Sequence, residues 1–218
     1  METEYVARFT KKTDGVFNFD LTTLEVTMNL DLFAFVDGEK ILLRYEAMLK
    51  NGAKPKQSVI HIPNLLAWSP DITTRYRGDI RRISYYQTIV GDETALDIAK
   101  SKVSEVKYQF YSNYLGPRFS SGYDSHGTLH PKIYKKSSKN TKTKTVDINI
   151  TVDALRCVIN KIGNVVYLFG GDGDYLPLVE EINRNGIQVW IGAFSSGLNP
   201  NLRNAADEFI DLDKLFFE

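Results

Sequence analysis

Two short runs of uninterrupted apolar residues, Leu32-Phe-Ala-Phe-Val36 and Val165-Val-Tyr-Leu-Phe169, restrict the folds open to this chain more than any other feature. A strand wetted on one face alternates apolar and polar residues. A run with no alternation needs cover on both faces, which is the situation of a central strand in a parallel sheet. Parallel strands must be joined by crossovers, and the residues after Phe169 supply one. A helix is expected there, with Pro177 near its start, where a missing N–H costs nothing, and Gly186 just past its end. Leu178, Val179 and Ile182 would form its inner face. Gln188-Val-Trp-Ile-Gly-Ala193 then reads as a third strand, so that strand, helix and strand make a right-handed βαβ unit.

The same alternation extends along most of the chain. From Asp147 to about Ile162 the sequence predicts a helix with Ile148, Val152, Leu155 and Ile159 as its apolar stripe. Glu93 to about Tyr114 predicts a long amphipathic helix, with Ile98, Val103, Val106 and Phe110 inward. Ile80 to Val90 alternates through Ile83, Tyr85 and Thr88 and predicts a strand. Together these give an α/β fold, a three-layer sandwich with a mainly parallel central sheet over residues 31–218. Two stretches lie outside that rhythm. Residues 1–30 suggest a small N-terminal β extension, with strands at Phe17–Leu21 and Leu24–Met28. Residues 51–79, with Gly52, Pro55, Pro63 and Pro70, suggest an irregular insertion. A second copy of the chain or a protein partner would dock through the extension or the insertion.

Charge and cysteine content set the surroundings. Lys+Arg and Asp+Glu are 27 each. With no net charge to attract a polyanion, nucleic-acid binding requires basic residues gathered on one face. The lone cysteine, Cys157, has no partner for an internal disulfide and reads as a helix core residue. His61, His126 and His130 lack a zinc-ligand pattern. The start, Met1-Glu-Thr-Glu4, is not a basic-then-apolar leader, and no apolar run approaches the ~20 residues of a membrane helix. The expectation is a cytoplasmic protein with no membrane association.

Both strong strands end in acid. Val36 leads into Asp37-Gly-Glu-Lys40, and Phe169 into Gly170-Gly-Asp-Gly-Asp174. Open parallel sheets bind ligands beyond the carboxyl ends of their strands, so acids more than a hundred residues apart can meet there. Asp147, at the start of its helix, can project to the same edge. Clustered carboxylates raise one another's pKa, and a divalent cation relieves the repulsion. Oxygen-only donors select Mg²⁺ or Mn²⁺. Such a cation activates water and offsets charge on a phosphodiester under attack. Each acid also has a plainer reading: Asp172 and Asp174 as helix caps, Asp37 as a turn residue, Asp147 as a first-turn acid.

Three motifs in order resemble those of the NYN domain family, a branch of the PIN-like nucleases. Phe35-Val-Asp-Gly-Glu39 resembles the family's V-D-G-E-N. Lys144-Thr-Val-Asp147 with Asp153 resembles K-x-V-D…D. Leu168 to Pro177 resembles S-G-D-x-D-F-x-P. Asn185-Gly-Ile-Gln-Val189, Leu202 and Ala206-Asp-Glu-Phe-Ile210 are similar to its closing pattern, and the LabA-like bacterial members look most similar. The resemblance runs from about Leu30 to Leu212, with 51–130 unmatched. It implies a PIN-like fold and a Mg²⁺ or Mn²⁺ site held by Asp37, Asp147, Asp172 and Asp174, with Asp153 in support. The implied reaction is phosphodiester hydrolysis, usually of RNA. The chain departs from the family at two positions: Lys40 replaces its asparagine, and Gly170 its serine or threonine. The Lys40 ammonium could take a metal's place among the acids or bind the scissile phosphate.

The basic residues needed for a polyanion crowd upstream of Asp147. Lys132, Lys135, Lys136, Lys139, Lys142 and Lys144 have no acid between them, and Tyr134 sits among them. Such a stretch suits phosphate contact and base stacking on single-stranded RNA, or on DNA, and equally a solvated loop. Arg75, Arg77, Arg81 and Arg82 form a looser second group. Two rival functions remain: a degenerate NYN domain that binds RNA or protein without cutting, and a phosphatase of the haloacid-dehalogenase type, faintly suggested by Asp37-Gly-Glu39 and Gly171-Asp-Gly-Asp174.

Overall fold

A computed structural model of the chain describes residues 9–11, 17–19, 30–74, 79–112, 123–138 and 143–218. Its strands are β1 (Phe9–Lys11), β2 (Phe17–Phe19), β3 (Asp31–Asp37), β4 (Ile60–Ile62), β5 (Leu66–Trp68), β6 (Asp79–Ile89), β7 (Lys107–Ser112), β8 (Tyr123–Thr128), β9 (His130–Lys135), β10 (Val165–Phe169), β11 (Gln188–Ala193) and β12 (Glu208–Asp211). The helices are α1 (Gly38–Lys50), α2 (Glu93–Ser104), α3 (Thr145–Ile159), α4 (Leu176–Arg184), α5 (Pro200–Ala205) and α6 (Asp213–Phe216).

The two apolar runs are β3 and β10, adjacent at the centre of a six-stranded sheet of order β12-β11-β10-β3-β6-β9. Every pairing in it is parallel. Alternate residues of β10 divide between two cores. Val165, Tyr167 and Phe169 join Ala34, Trp68 and Val103 on one face. Val166 and Leu168 join Ile150, Val179 and Ile182 on the other. Helices cover both faces, so the architecture is the expected three-layer sandwich. Since the strands are parallel, all their carboxyl ends lie on one edge, with Val36 beside Phe169 and Phe169 beside Gly192. Among the described residues no helix is long and apolar enough to cross a membrane.

The crossover helix α4 starts with Pro177 in its first turn and stops before Gly186, whose φ of 75° is left-handed and suits glycine. Leu178, Val179 and Ile182 are its buried residues, as the spacing predicts. Helix α3 corrects the predicted stripe. Ile148, Val152 and Ile159 are exposed, Ile159 at 72%, Leu155 is half-buried, and Val146, Ile150, Ala154 and Val158 face the sheet. Two apolar stripes compete on this helix. The one carrying the small Ala154 wins because it lets the backbone approach the strands closely.

The long helix predicted to reach Tyr114 ends at Ser104. Lys107–Ser112 is instead β7, paired antiparallel with β8. Tyr108 is buried, Gln109 exposed and Phe110 half-buried, a period of two that Val103, Val106 and Phe110 had masked as a helical one. Ile98, assigned to the inner face, is exposed. Residues 51–74 carry the β4–β5 hairpin, and Leu66, Ala67 and Trp68 are fully buried in the main core. Phe17–Phe19 pairs with Phe9–Lys11, while the strand predicted at Leu24–Met28 lies outside the described residues.

Candidate active site

Asp37 ends β3 and caps α1, its Oδ1 accepting from the Lys40 backbone N–H at 3.0 Å. The turn into α1 is tight enough to require Gly38. A Cβ there would stand 2.5 Å from the Tyr85 ring and 2.6 Å from the Tyr86 carbonyl. Asp37 is completely buried, and burial pushes its carboxyl from the ordinary 3.8 up to about 7, against the lowering effect of its hydrogen bonds to Lys40 and Tyr175.

Its other oxygen accepts from Tyr175, and this phenol was not among the residues singled out in the sequence. The Tyr175 hydroxyl lies 2.8 Å from Asp37 Oδ2 and 3.2 Å from Asp147 Oδ1, linking the end of β3 to the first turn of α3. Burial, and then the charges of the two carboxylates, push the phenol's pKa well above its ordinary value, so it stays a donor. Gly170 packs against the same ring: a Cβ would lie 3.2 Å from Tyr175 and 3.5 Å from the Asp37 Cβ. Position 170 carries no hydroxyl, yet a hydroxyl still reaches Asp37, from Tyr175. The pattern Leu-Phe-Gly-Gly-Asp-Gly-Asp-Tyr contained the signal, because an aromatic with a polar tip directly after an acid pair can reach back over a glycine.

Asp172 and Asp174 lie on the turn after β10. Asp172 caps it, accepting from the Asp174 N–H at 3.3 Å. Lys40 Nζ stands 2.6 Å from Asp172 Oδ2. Burial alone would lower the ammonium's pKa, but the hydrogen bond to Asp172 and the charges of Asp172, Asp37 and Asp147 raise it overall. The Lys40 hydrogen bond in turn holds the Asp172 carboxyl below its ordinary range. Lys144 bridges the outer pair, bonding Asp174 and lying 3.2 Å from Asp147 Oδ2, and these bonds raise its pKa. The four predicted acids are therefore brought together on one edge by the ends of β3 and β10 and the start of α3, tied by Tyr175, Lys40 and Lys144.

The other predicted residues distribute differently. Asp153 accepts from Tyr86 at 2.8 Å and pairs with Lys132 at 3.3 Å and Arg156 at 3.6 Å, and none of these partners touches the four acids. Lys132 thus lies on the α3 face of β9. Lys135 is exposed at the end of β9, and Lys136 pairs with Glu39 at 3.3 Å. Glu39 also accepts from Thr88. Lys139 and Lys142 lie outside the described residues, as do Arg75 and Arg77. Arg81 is held at the far end of the sheet by Asp31, at 2.8 Å.

In donor chemistry the four acids fit a hard divalent cation, being carboxylates throughout. A buried Asp37 whose carboxyl sits near 7 is a group that a cation would return to its ionised form. Among the described residues, no three Asp, Glu, His or Cys side chains are close enough to one point to form a ligand group. The Tyr175 hydroxyl and two ammonium groups stand between them, so a cation would enter by displacing lysine.

Two likenesses to known proteins bear on this chain. The profile of the NYN domain matches residues 31–213, most of its length. A crystal structure of a protein of unknown function, VPA0982 from Vibrio parahaemolyticus RIMD 2210633, is similar with a TM-score of 0.54 and 16% identity, over 89% of this chain and 100% of that one. At that identity the likeness concerns the fold alone. A comparison with curated proteins finds no match.

Proposed function

The chain belongs to the NYN domain family, and on that premise we propose that it is a nuclease dependent on Mg²⁺ or Mn²⁺ that hydrolyses phosphodiester bonds in single-stranded RNA. The observation that carries this reading is the convergence of Asp37, Asp147, Asp172 and Asp174 from three elements on the ligand-binding edge of the sheet. These four would hold the cation, which when bound supplies activation of water and charge stabilisation at the phosphorus. Tyr175 links Asp37 and Asp147, its single hydroxyl proton donating to Asp37 at 2.8 Å with Asp147 at 3.2 Å as the longer alternative acceptor. Lys40 and Lys144 neutralise the outer acids and, once displaced, are within a side-chain's reach of a phosphate at the same edge. Lys135, exposed where β9 ends on this edge, would position the strand. Membership in the NYN family leaves no support for the haloacid-dehalogenase reading.

A second reading rests on one observation. Lys40 on Asp172 and Lys144 on Asp147 and Asp174 satisfy the acids with internal cations, as in a domain that binds RNA without cutting it. Cleavage of end-labelled single-stranded RNA separates the two, with DNA of the same sequence as a parallel substrate. The nuclease reading predicts cleavage with Mn²⁺ that disappears with chelator and in Asp172→Asn. Retention of RNA with no cleavage by pure wild-type protein would favour the binder. Cleavage surviving in Asp172→Asn would remove the site from consideration.

A further inference from the structure

Beside the acid cluster, away from β9, lies a cleft of about 440 Å³ between α1, the turn after β10 and the loop after β11. That volume suits a single small ligand or nucleotide. Lys40 and Arg44, one helical turn apart on α1, both line it. They differ in their partners. Lys40 is committed to Asp172, whereas no carboxylate pairs with Arg44 among the described residues. The Arg44 side chain is exposed and passes close to the loop after β11. Gly197 has no side chain where Arg44 passes, and a Cβ there would stand 2.5 Å from Nε and 3.1 Å from Cζ. An exposed cation that passes close over a glycine at the mouth of the cleft, with no carboxylate paired to it among the described residues, is open to an anion supplied from outside.

The opposite wall adds neutral donors. Asn199 caps α5 through Oδ1, which accepts from Asn201 N–H at 2.9 Å, and this turns its Nδ2 towards Gly173. Its own N–H donates to the Gly171 carbonyl at 2.8 Å, tying the wall to the turn that carries Asp172 and Asp174. Ser196, Phe194 and Leu198 also line the cleft. A planar guanidinium, a hydroxyl, an amide and an apolar surface together match a nucleotide's phosphate and base.

We infer that this cleft is a subsite for the nucleotide adjoining the scissile phosphate, with Arg44 binding its phosphodiester. The inference rests on the nuclease reading and extends it. The strand would enter over the β9 lysines, cross the acids and leave through the Arg44 cleft. From β9 to β11 is four strand spacings, roughly 19 Å at about 4.8 Å each. A phosphate held at each end would let a chain with no net charge hold such a strand.

The test is anisotropy of a labelled single-stranded RNA of twelve nucleotides, titrated in chelator to prevent cleavage, at several salt concentrations. Arg44→Ala is expected to weaken binding roughly three- to tenfold and to reduce the slope of log K against log salt by about 0.7, the loss of one single-strand phosphate contact. Gly197→Ala, which keeps the charge but evicts the guanidinium, should weaken binding comparably, and Arg184→Ala, paired with Glu181 on α4, should change neither quantity. Arg44→Ala binding with wild-type affinity and slope would overturn the subsite alone. Should the wild type bind no RNA, with or without Mn²⁺, both the subsite and the RNA reading fall.

Discussion

Replacing Asp37 by Asn should stabilise the cation-free protein at pH 8 and leave it nearly unchanged at pH 5. Asp37 is fully buried, and its carboxyl is raised from 3.8 to about 7. Below about pH 4 the folded and unfolded chains both hold this proton. Between about 4 and 7 the folded chain keeps it and the unfolded chain releases it, so stability falls as pH rises. At about 1.36 kcal/mol for each tenfold difference in proton affinity, the loss by pH 8 is on the order of 4 kcal/mol. Asn does not titrate, and it can still accept from the Lys40 N–H while its amide donates to the Tyr175 oxygen. Losing one acceptor costs about 1–2 kcal/mol. The variant should thus come out about 2–3 kcal/mol more stable at pH 8 and near neutral at pH 5, read from urea unfolding in chelator with the slope m unchanged. Adding Mn²⁺ at pH 8 should stabilise the wild type through binding to the folded state and leave the variant unmoved. A stability difference that stays constant from pH 5 to 8 would refute the reasoning, since it would mean that Asp37 does not titrate in this window.

Other substitutions probe the same edge. Tyr175→Phe removes the donor shared by Asp37 and Asp147; it should lower stability at pH 8 by about 1.5–3 kcal/mol, with a smaller loss at pH 5, as urea unfolding at the two pH values would show. Lys40→Asn frees Asp172 of its internal cation, so half-maximal RNA cleavage should need several-fold less Mn²⁺ than in the wild type, and an unchanged requirement would mean that the ammonium does not compete with the ion. On α3, Ile150→Ala should cost about 2–5 kcal/mol, whereas Ile159→Lys should stay within about 0.5 kcal/mol of wild type; thermal unfolding would expose an error in the helix register if the order were reversed.

Legibility in the sequence followed how many physical constraints bore on each residue. β3 and β10 were readable because two-sided burial admits only apolar side chains, and α4 because Pro177 and Gly186 mark both its ends. The α3 face was not readable, because Ile148, Val152 and Ile159 make as good a stripe as Val146, Ile150 and Val158, and only the fit of Ala154 against the sheet decides between them. The strand β7 was lost for a similar reason: Phe110 satisfies both the helical spacing from Val103 and Val106 and the strand alternation with Tyr108. At the site, acids at strand ends could be located from topology. Their partners could not: the reach of Tyr175 across Gly170, and of Lys40 to Asp172, joins residues five to 138 positions apart. Arg44 carried no local signal, since its meaning depends on Gly197, far along the chain.

The most direct test of the account is to count bound cation. Mn²⁺ titrated into the protein at pH 8 can be followed by the paramagnetic resonance of the free ion, comparing wild type with the pair of substitutions Asp37→Asn and Asp147→Asn in one chain. The four-acid site predicts about one or two Mn²⁺ ions held per chain, and a free-ion signal in the variant that rises from the first addition. A wild-type curve indistinguishable from that of the variant would contradict the site, leaving Lys40 and Lys144 as the only cations these acids hold.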